Sequence, residues 1–515
     1  MRSGASRQTA VKPAAVASPL NMRPGRPRPG HHGALGLWLA LATAPAAAQV
    51  SPLTGQTLFY QQAAAPQTRD YLAAYAGLIY TDNIERTANG SSDTLLMVGL
   101  SGTISREGSR LDYHLTSNLA ILKYFSSAFP TRPTGYLDGL ATLKIVPGFF
   151  SWIVRETFSQ VQIDVFAPVT PDNLVSLNFI TTGPRFTLRP TLRTSVTLDA
   201  LYSYVNTSSP SPQFTNLDNH RYGGDLKIDR AFSEAASLYL KGHYEKTEFK
   251  DQVDNHNYSL ADGLLGYKLV DGRTVFDLSG GYSHLEVYDV LIATEGVGGG
   301  RESLQTQKFD EPVWAVDISR LITPSQRLAL TASQTFTDFA SAFRLGFNQP
   351  VPTVAPPQFA TSSVSKQRLW GVDWRFQATR TSLDIALTES KQRYVIATAT
   401  ASNLDWKAVN TLLTRRLSPV LIWDIGASFE RRDEVGPQPG GAAPQSSKLW
   451  SALTSLSWQV GERLAMRFIY AHSGWSGVYS DNQLGVTVSW ALIAAQANAA
   501  QPYPGMTPIA PASTR

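Results

Sequence analysis

The stretch LRTSVTLDALYSYVN, Leu192 to Asn206, has a period of two. Leu192, Thr194, Val196, Leu198, Ala200, Tyr202 and Tyr204 share one face. Arg193, Ser195, Thr197, Asp199, Leu201, Ser203 and Val205 share the other. Successive side chains of a strand point to opposite sides, so one face is oily and ends in two tyrosines, while the other is mostly polar. The oily face can meet a protein core or a lipid bilayer, and the fold turns on which.

Working outward, the alternation runs from about residue 71 to about residue 492. Leu421, Trp423, Ile425, Ala427 and Phe429 oppose Asp424, Gly426, Ser428 and Glu430. Trp370, Val372, Trp374 and Phe376 oppose Gly371, Asp373 and Arg375. Leu484, Val486, Val488 and Trp490 form the last such face. Nine short connections rich in turn residues punctuate the chain: 106–109, 147–150, 189–191, 232–236, 270–273, 322–326, 378–381, 417–419 and 460–462. Longer polar connections lie between them, among them 81–93, 249–257, 291–310, 347–358 and 434–447. Short turns that alternate with long loops mean that the two ends of the strands face different places. The count predicts an all-β chain: a single transmembrane antiparallel β-barrel of about 20 strands (range 18–22), with short periplasmic turns and long extracellular loops.

A soluble sandwich or a propeller also alternates, and three features weigh against both. Many segments run about 11–15 residues, longer than the usual 5–6 of soluble strands and enough for a tilted bilayer crossing. Trp or Tyr stands near the ends of oily faces at Tyr202, Tyr204, Trp370, Trp450, Trp458 and Trp490, as an interfacial aromatic belt requires. The opposite face carries charge, which suits a wet lumen. Closure leaves no backbone edge in lipid, where each orphaned group costs several kcal/mol.

The chain of 515 residues has a formal charge of +5. Residues 1–48 hold Arg2, Arg7, Lys12, Arg23, Arg26 and Arg28 and no acidic residue, which leaves 39 basic against 40 acidic residues elsewhere. The basic balance therefore belongs to the leader and gives no reason to expect nucleic acid. Arginines, the apolar stretch GALGLWLALATA (33–44) and small residues at Ala46 and Ala48 read as a secretory signal over 1–48. Met22 is a possible start. Residues 49–70 read as a periplasmic lead-in, 71–492 as the barrel and 493–515 as a disordered periplasmic tail. No plug domain is expected ahead of the barrel. Cysteine is absent, which removes thiolate ligands, disulfides and cysteine nucleophiles.

The residues expected to line the lumen are Asp199, Lys227, Lys241, His243, Asp277, Asp317, Arg375, Asp384, Asp424 and Arg467. His243 shares its face with Lys241 and Glu245 and could act as a base; a pore-lining role is the plainer reading. The oily faces read as apolar throughout, with no serine placed for an interfacial lipase. The loop DQVDNHN (251–257) offers oxygen ligands without the spacing of a calcium loop. VGGGRE (297–302) is glycine-rich but not between a strand and a helix. No catalytic residue, cofactor or metal is expected.

YTDNI (80–84), SGTISREGSRLDYHLTSNLAILKY (101–124) and RETFSQVQIDVFAPVTPDN (155–173) together resemble the opening hairpins of the PEP-CTERM-system-associated outer-membrane β-barrels. The resemblance covers roughly residues 70–230. It implies a porin-like outer-membrane barrel in an exopolysaccharide or envelope-sorting context and assigns no catalytic residue. One departure is that Trp490, the candidate terminal aromatic, is followed by 25 residues. The expected partners are outer-membrane lipid, the barrel-assembly machinery and a polysaccharide. The expected function is a passive conduit. The alternative is a non-conducting structural or glycan-binding barrel, in which loops 291–310 and 347–358 cap the lumen.

Overall fold

The computed structural model describes residues 70–493 apart from 127, 210, 212–213, 252–254, 295–300, 349–356, 358, 397–401 and 437–442. The expected signal, the lead-in before Asp70 and the tail from 494 lie outside the described residues, as do most of VGGGRE and most of 347–358.

Twenty strands follow one another: β1 (Tyr71–Thr81), β2 (Asp93–Arg106), β3 (Leu111–Tyr124), β4 (Arg132–Val146), β5 (Phe150–Gln162), β6 (Leu174–Thr191), β7 (Thr194–Ser208), β8 (Asn219–Ala231), β9 (Ala236–Phe249) and β10 (Tyr258–Asp271), then β11 (Thr274–Thr294), β12 (Arg301–Thr323), β13 (Gln326–Thr337), β14 (Ser365–Gln377), β15 (Thr381–Tyr394), β16 (Asn403–Ser418), β17 (Leu421–Val435), β18 (Ser446–Gln459), β19 (Leu464–Trp475) and β20 (Tyr479–Ile493). One helix, α1 (Phe339–Asn348), interrupts the β13–β14 connection. Each strand pairs antiparallel with the next, and β20 pairs with β1 from Leu72↔Ile493 to Thr81↔Gln483. The wall is therefore a closed meander. With both neighbours present, backbone groups find partners inside the wall, the condition for lying in hydrocarbon. Strands of 11 to 23 residues are long enough to cross a bilayer.

The oily faces point outward. Leu198, Tyr202, Trp370, Trp423, Leu484 and Trp490 each expose 37–57% of their surface, although they are among the most apolar residues of the chain. Aromatics gather at two levels. Tyr80, Tyr202, Tyr222, Tyr282, Trp370 and Trp450 stand toward the loop end; Trp152, Tyr267, Trp374, Trp423, Trp458 and Trp490 stand toward the turn end. A closed ring of long strands with an apolar exterior bounded by aromatic girdles is an outer-membrane barrel.

All nine short turns sit at one end. The tightest leave two residues between strands, as at 192–193, 272–273 and 419–420. Leu192, read above as the first oily strand residue, is in fact fully exposed at a turn tip. At 147–149 the bend needs Gly148 at φ +80°, a conformation that costs glycine little. The loop end is less uniform than expected. The β19–β20 connection is only Ser476–Val478, and β11 and β12 remain paired out to Thr294↔Arg301. Most of 291–310 is thus wall, not a cap: backbone pairing of β11 with β12 continues through 291–294 and 301–310.

Two expectations about the faces need correction. Glu156 and Asn178 share the outward faces of Trp152 and Ile180; Glu156 stands directly opposite Gly139 and Ile180 and is hydrogen-bonded by Asn178. The exterior is therefore not apolar throughout. Glu156 keeps only 7% of its surface exposed. Nor is the inward face polar throughout. Toward the loop end apolar clusters form the core, set among buried charged and polar residues such as Arg221, Glu245 and Arg432.

Candidate functional site

The inward face divides into two halves. The turn-end half holds all ten residues expected to line the lumen, and their partners lie along the wall. Arg185 donates to both Asp199 oxygens at 2.7 and 2.6 Å across the β6–β7 pair. Arg375 is joined to Asp384 between β14 and β15. Asp424 accepts from Thr414 at 2.8 Å and Ser455 at 3.1 Å, and Arg467 reaches the same serine at 2.9 Å. Asp277 accepts from Tyr239 at 2.7 Å and faces Asp317 directly. Lys227 lies 3.5 Å from Asp229, over the Tyr239 ring, and faces Lys241. His243 meets Asp225 at 2.9 Å, a neighbour on β8 rather than Glu245 on its own strand. Among the described residues no group of three or more His, Asp or Glu is arranged to hold a metal ion. In 251–257, Asn255 and Asn257 donate and accept within the loop and its neighbours.

The loop-end half is different. Val175, Leu177, Phe179, Val205, Phe249 and Leu285 point inward and are at most 3% exposed, packed with Phe339 and Ala340 of α1. Ile79, Leu95 and Leu122 form a second cluster on β1–β3. Leu404 and Trp406 of β16 form a third, closed by Val165 from the β5–β6 loop and Phe359 from the β13–β14 loop. Since β5 and β16 are far apart around the ring, Val165 reaches Trp406 only by folding over the mouth. The backbone N–H of Ala360 donates to the Ile163 carbonyl at 3.3 Å, tying the two inward loops together.

Three buried arginines fasten this arrangement. Arg221 on β8 is 1% exposed. It donates to both oxygens of Asp338 at 3.2 and 2.6 Å, to Glu245 at 3.0 Å and to Ser341 at 2.8 Å. Asp338 also accepts the Ser341 N–H at 3.0 Å and so caps the start of α1. Burial alone would raise the Asp338 carboxyl; the Arg221 charge and hydrogen bonds outweigh it and hold it at about 2. Arg432 on β17 donates to the Val165 carbonyl at 2.5 Å and to Glu430 at 2.9 Å. Arg86, in the β1–β2 loop, donates to the Val169 carbonyl at 2.9 Å and lies 3.6 Å from Asp481.

The quoted sequence stretches supply the loop geometry. Asn83 of YTDNI donates to the Thr87 and Ser480 carbonyls, and its neighbour Asp82 accepts from the backbone and side chain of Asn482. Asn173, at the end of VTPDN, donates to the carbonyls of Asp164, Ala167 and Pro168 and accepts from the Asp164 N–H. That clamp holds the β5–β6 loop in the bend that presents Val165. Sequence reading missed the arginines. Their only signal is a charged residue at an inward position near a strand's loop end, and that signal names no partner.

No protein-family model matches the chain, and no curated protein sequence matches it. Solved structures of similar outline include the ferric-catecholate import receptor Fiu of E. coli K12, at TM-score 0.45 and 9% identity over 83% of this chain and 82% of that one. The FrpB iron transporter of Neisseria meningitidis aligns at TM-score 0.45 and 9% identity over 84% of each chain. The copper transporter OprC aligns at TM-score 0.44 and 8% identity over 82% of this chain and 81% of that one. Likeness at this level says nothing further about what this barrel carries.

Proposed function

We propose that the protein is a porin-like conduit of the outer membrane whose outer mouth is narrowed by its own loops. The division of the lumen is the observation that carries this reading. Charged residues in the turn-end half are costly to bury unless water reaches them, so that half is a hydrated vestibule. Barrels of 16–18 strands already leave an aqueous channel, and a ring of 20 would pass large solutes. The β5–β6 and β13–β14 loops reduce that bore, so the cargo in this state is a small polar solute. A glycan chain, the cargo suggested by the resemblance to exopolysaccharide-linked barrels, passes only when those loops swing outward.

Planar-bilayer recording tests this. The intact barrel gives small steps, and a variant with residues 338–364 replaced by a short Gly-Ser link gives steps several-fold larger. Silence from both, with heat-modifiable mobility showing both barrels folded, overturns the conduit. That outcome is what the second reading expects, and the inward loops favour it too: a non-conducting barrel that holds a glycan or partner at the cell surface. The exopolysaccharide link has its own test, since a deletion strain that releases polysaccharide normally removes it.

A further inference from the structure

Outside the membrane-facing belt the strands carry charge, and its distribution is uneven. Toward the loop end of β9–β12, three outward cations each have a close acid: Lys246 lies 2.7 Å from Glu248, Lys308 2.5 Å from Glu286, and His284 2.6 Å from Asp310. On β14–β18 the pattern breaks. The last apolar row there is Val372, Leu387, Val409, Phe429 and Trp450, each directly opposite the next. One step toward the loop end comes the row Trp370, Glu389, Lys407, Arg431 and Lys448, again in direct register. Lys407, Arg431 and Lys448 are thus three cations side by side on neighbouring strands. Arg368 stands directly opposite Lys391 beside them.

Like charges directly opposite destabilise a sheet, and the local acids do not cancel these. Glu389 is shared by Lys391 at 3.5 Å and Lys407 at 3.8 Å. Asp433 is taken by Arg431 at 2.7 Å, and Asp405 by Arg393 at 2.6 Å. The side chains of Lys391, Lys407 and Arg431 remain 47–64% exposed. They overhang a surface of Leu387, Val409, Phe429 and Trp450 that lies against acyl chains. A free anion needs no such surface, whereas a lipid with a phosphorylated headgroup fits both parts. Its chains lie on the apolar row, and its phosphate oxygens accept from the Arg431 fork and the two flanking ammonium groups. The long-loop end faces outside in barrels of this kind, so the lipid belongs to the outer leaflet.

We propose that Lys407, Arg431 and Lys448 form a binding site for a phosphorylated outer-leaflet glycolipid. The test uses the purified barrel in zwitterionic nanodiscs, titrated with lipid A, with dephosphorylated lipid A and with inorganic phosphate. Binding is read by native mass spectrometry and by the shift in unfolding temperature. The intact protein retains lipid A and is stabilised by it. K407Q/R431Q/K448Q loses about a hundredfold in affinity, on the order of two charge-assisted hydrogen bonds. K407R/R431K/K448R keeps most of the affinity, which separates charge from folding. Three outcomes overturn the proposal: equal retention by the glutamine variant, equal binding of the dephosphorylated lipid, and inorganic phosphate giving the same stabilisation.

Discussion

Arginine is used in two ways inside this barrel: against carboxylates along the wall, and against a carboxylate or a carbonyl across the bore. At the turn end, Arg185–Asp199, Arg155–Asp138 and Arg375–Asp384 join neighbouring strands and lie flat along the wall. At the loop end, Arg221 reaches from β8 to Asp338, which follows β13, and Arg432 reaches from β17 to the loop after β5. A lateral pair bridges strands that the ladder already joins and leaves the bore open. A transverse pair holds a loop over the bore. Burial separates them as well: the Arg185 side chain is 40% exposed, that of Arg221 1%. The lateral pairs are more exposed than the transverse ones, so solvent screens them more and each contributes less. Breaking a transverse pair leaves a buried charge behind.

The largest effect is expected at Arg221. Arg221→Met leaves Asp338 and Glu245 buried without a cation, at about 3–5 kcal/mol, more than the inward packing of one loop is expected to bear. The β13–β14 loop is then released, seen as larger bilayer steps and faster proteolysis within 338–364. Arg221→Met combined with Asp338→Leu and Glu245→Gln, which removes the stranded charge, restores most of the stability.

Arg432→Met should act next. It frees the Val165 carbonyl and Glu430, at about 1–3 kcal/mol, so the β5–β6 loop opens more often while α1 stays docked. Hydrogen exchange over 163–173, against unchanged exchange over 338–348, checks this. Equal loosening of both segments would show that the two transverse ties are one unit.

Acid gives the third contrast. The Asp338 carboxyl is held at about 2, below the ordinary value near 4 of an unfolded chain. Its depressed value means that the tie is at full strength above about pH 4 and weakens as pH falls toward 2. Conductance should stay flat from pH 8 to 5 and rise only below about 4. In Asp338→Asn that rise is absent.

The smallest effect on the mouth belongs to the turn end. Asp199→Asn should lower stability by about 1–3 kcal/mol, since Asp199 is buried and accepts two hydrogen bonds from Arg185, and leave the mouth closed. It leaves Arg185 without its carboxylate, so reversal potentials shift toward anions. Were Asp199→Asn to enlarge the steps as Arg221→Met does, the division between lateral and transverse pairs would fail.

Much of the frame was legible because it is local. The alternation around Tyr202 and Trp423 assigns each residue to a face, and a turn such as Asp271–Gly272–Arg273 needs only its own residues to end one strand and start the next. The ten lumen candidates were read by the same rule: a charge opposite an oily residue is expected to point inward. Glu156 escaped because its hydrogen-bond partner Asn178 stands on the neighbouring strand, which periodicity within one strand does not register. Loop 291–310 was misread because its Gly-rich middle hides strands that continue on both sides.

By itself, then, the sequence determined a ring of about 20 strands, its greasy exterior and its charged lower bore, since period-two patterning and turn residues act over a few positions. Only the tertiary structure decided that the upper bore is filled by apolar clusters and buried arginine ties and crossed by loops. Those contacts join residues far apart in the chain, Arg221 to Asp338 and Val165 to Arg432, and they exist only once closure brings opposite walls within reach.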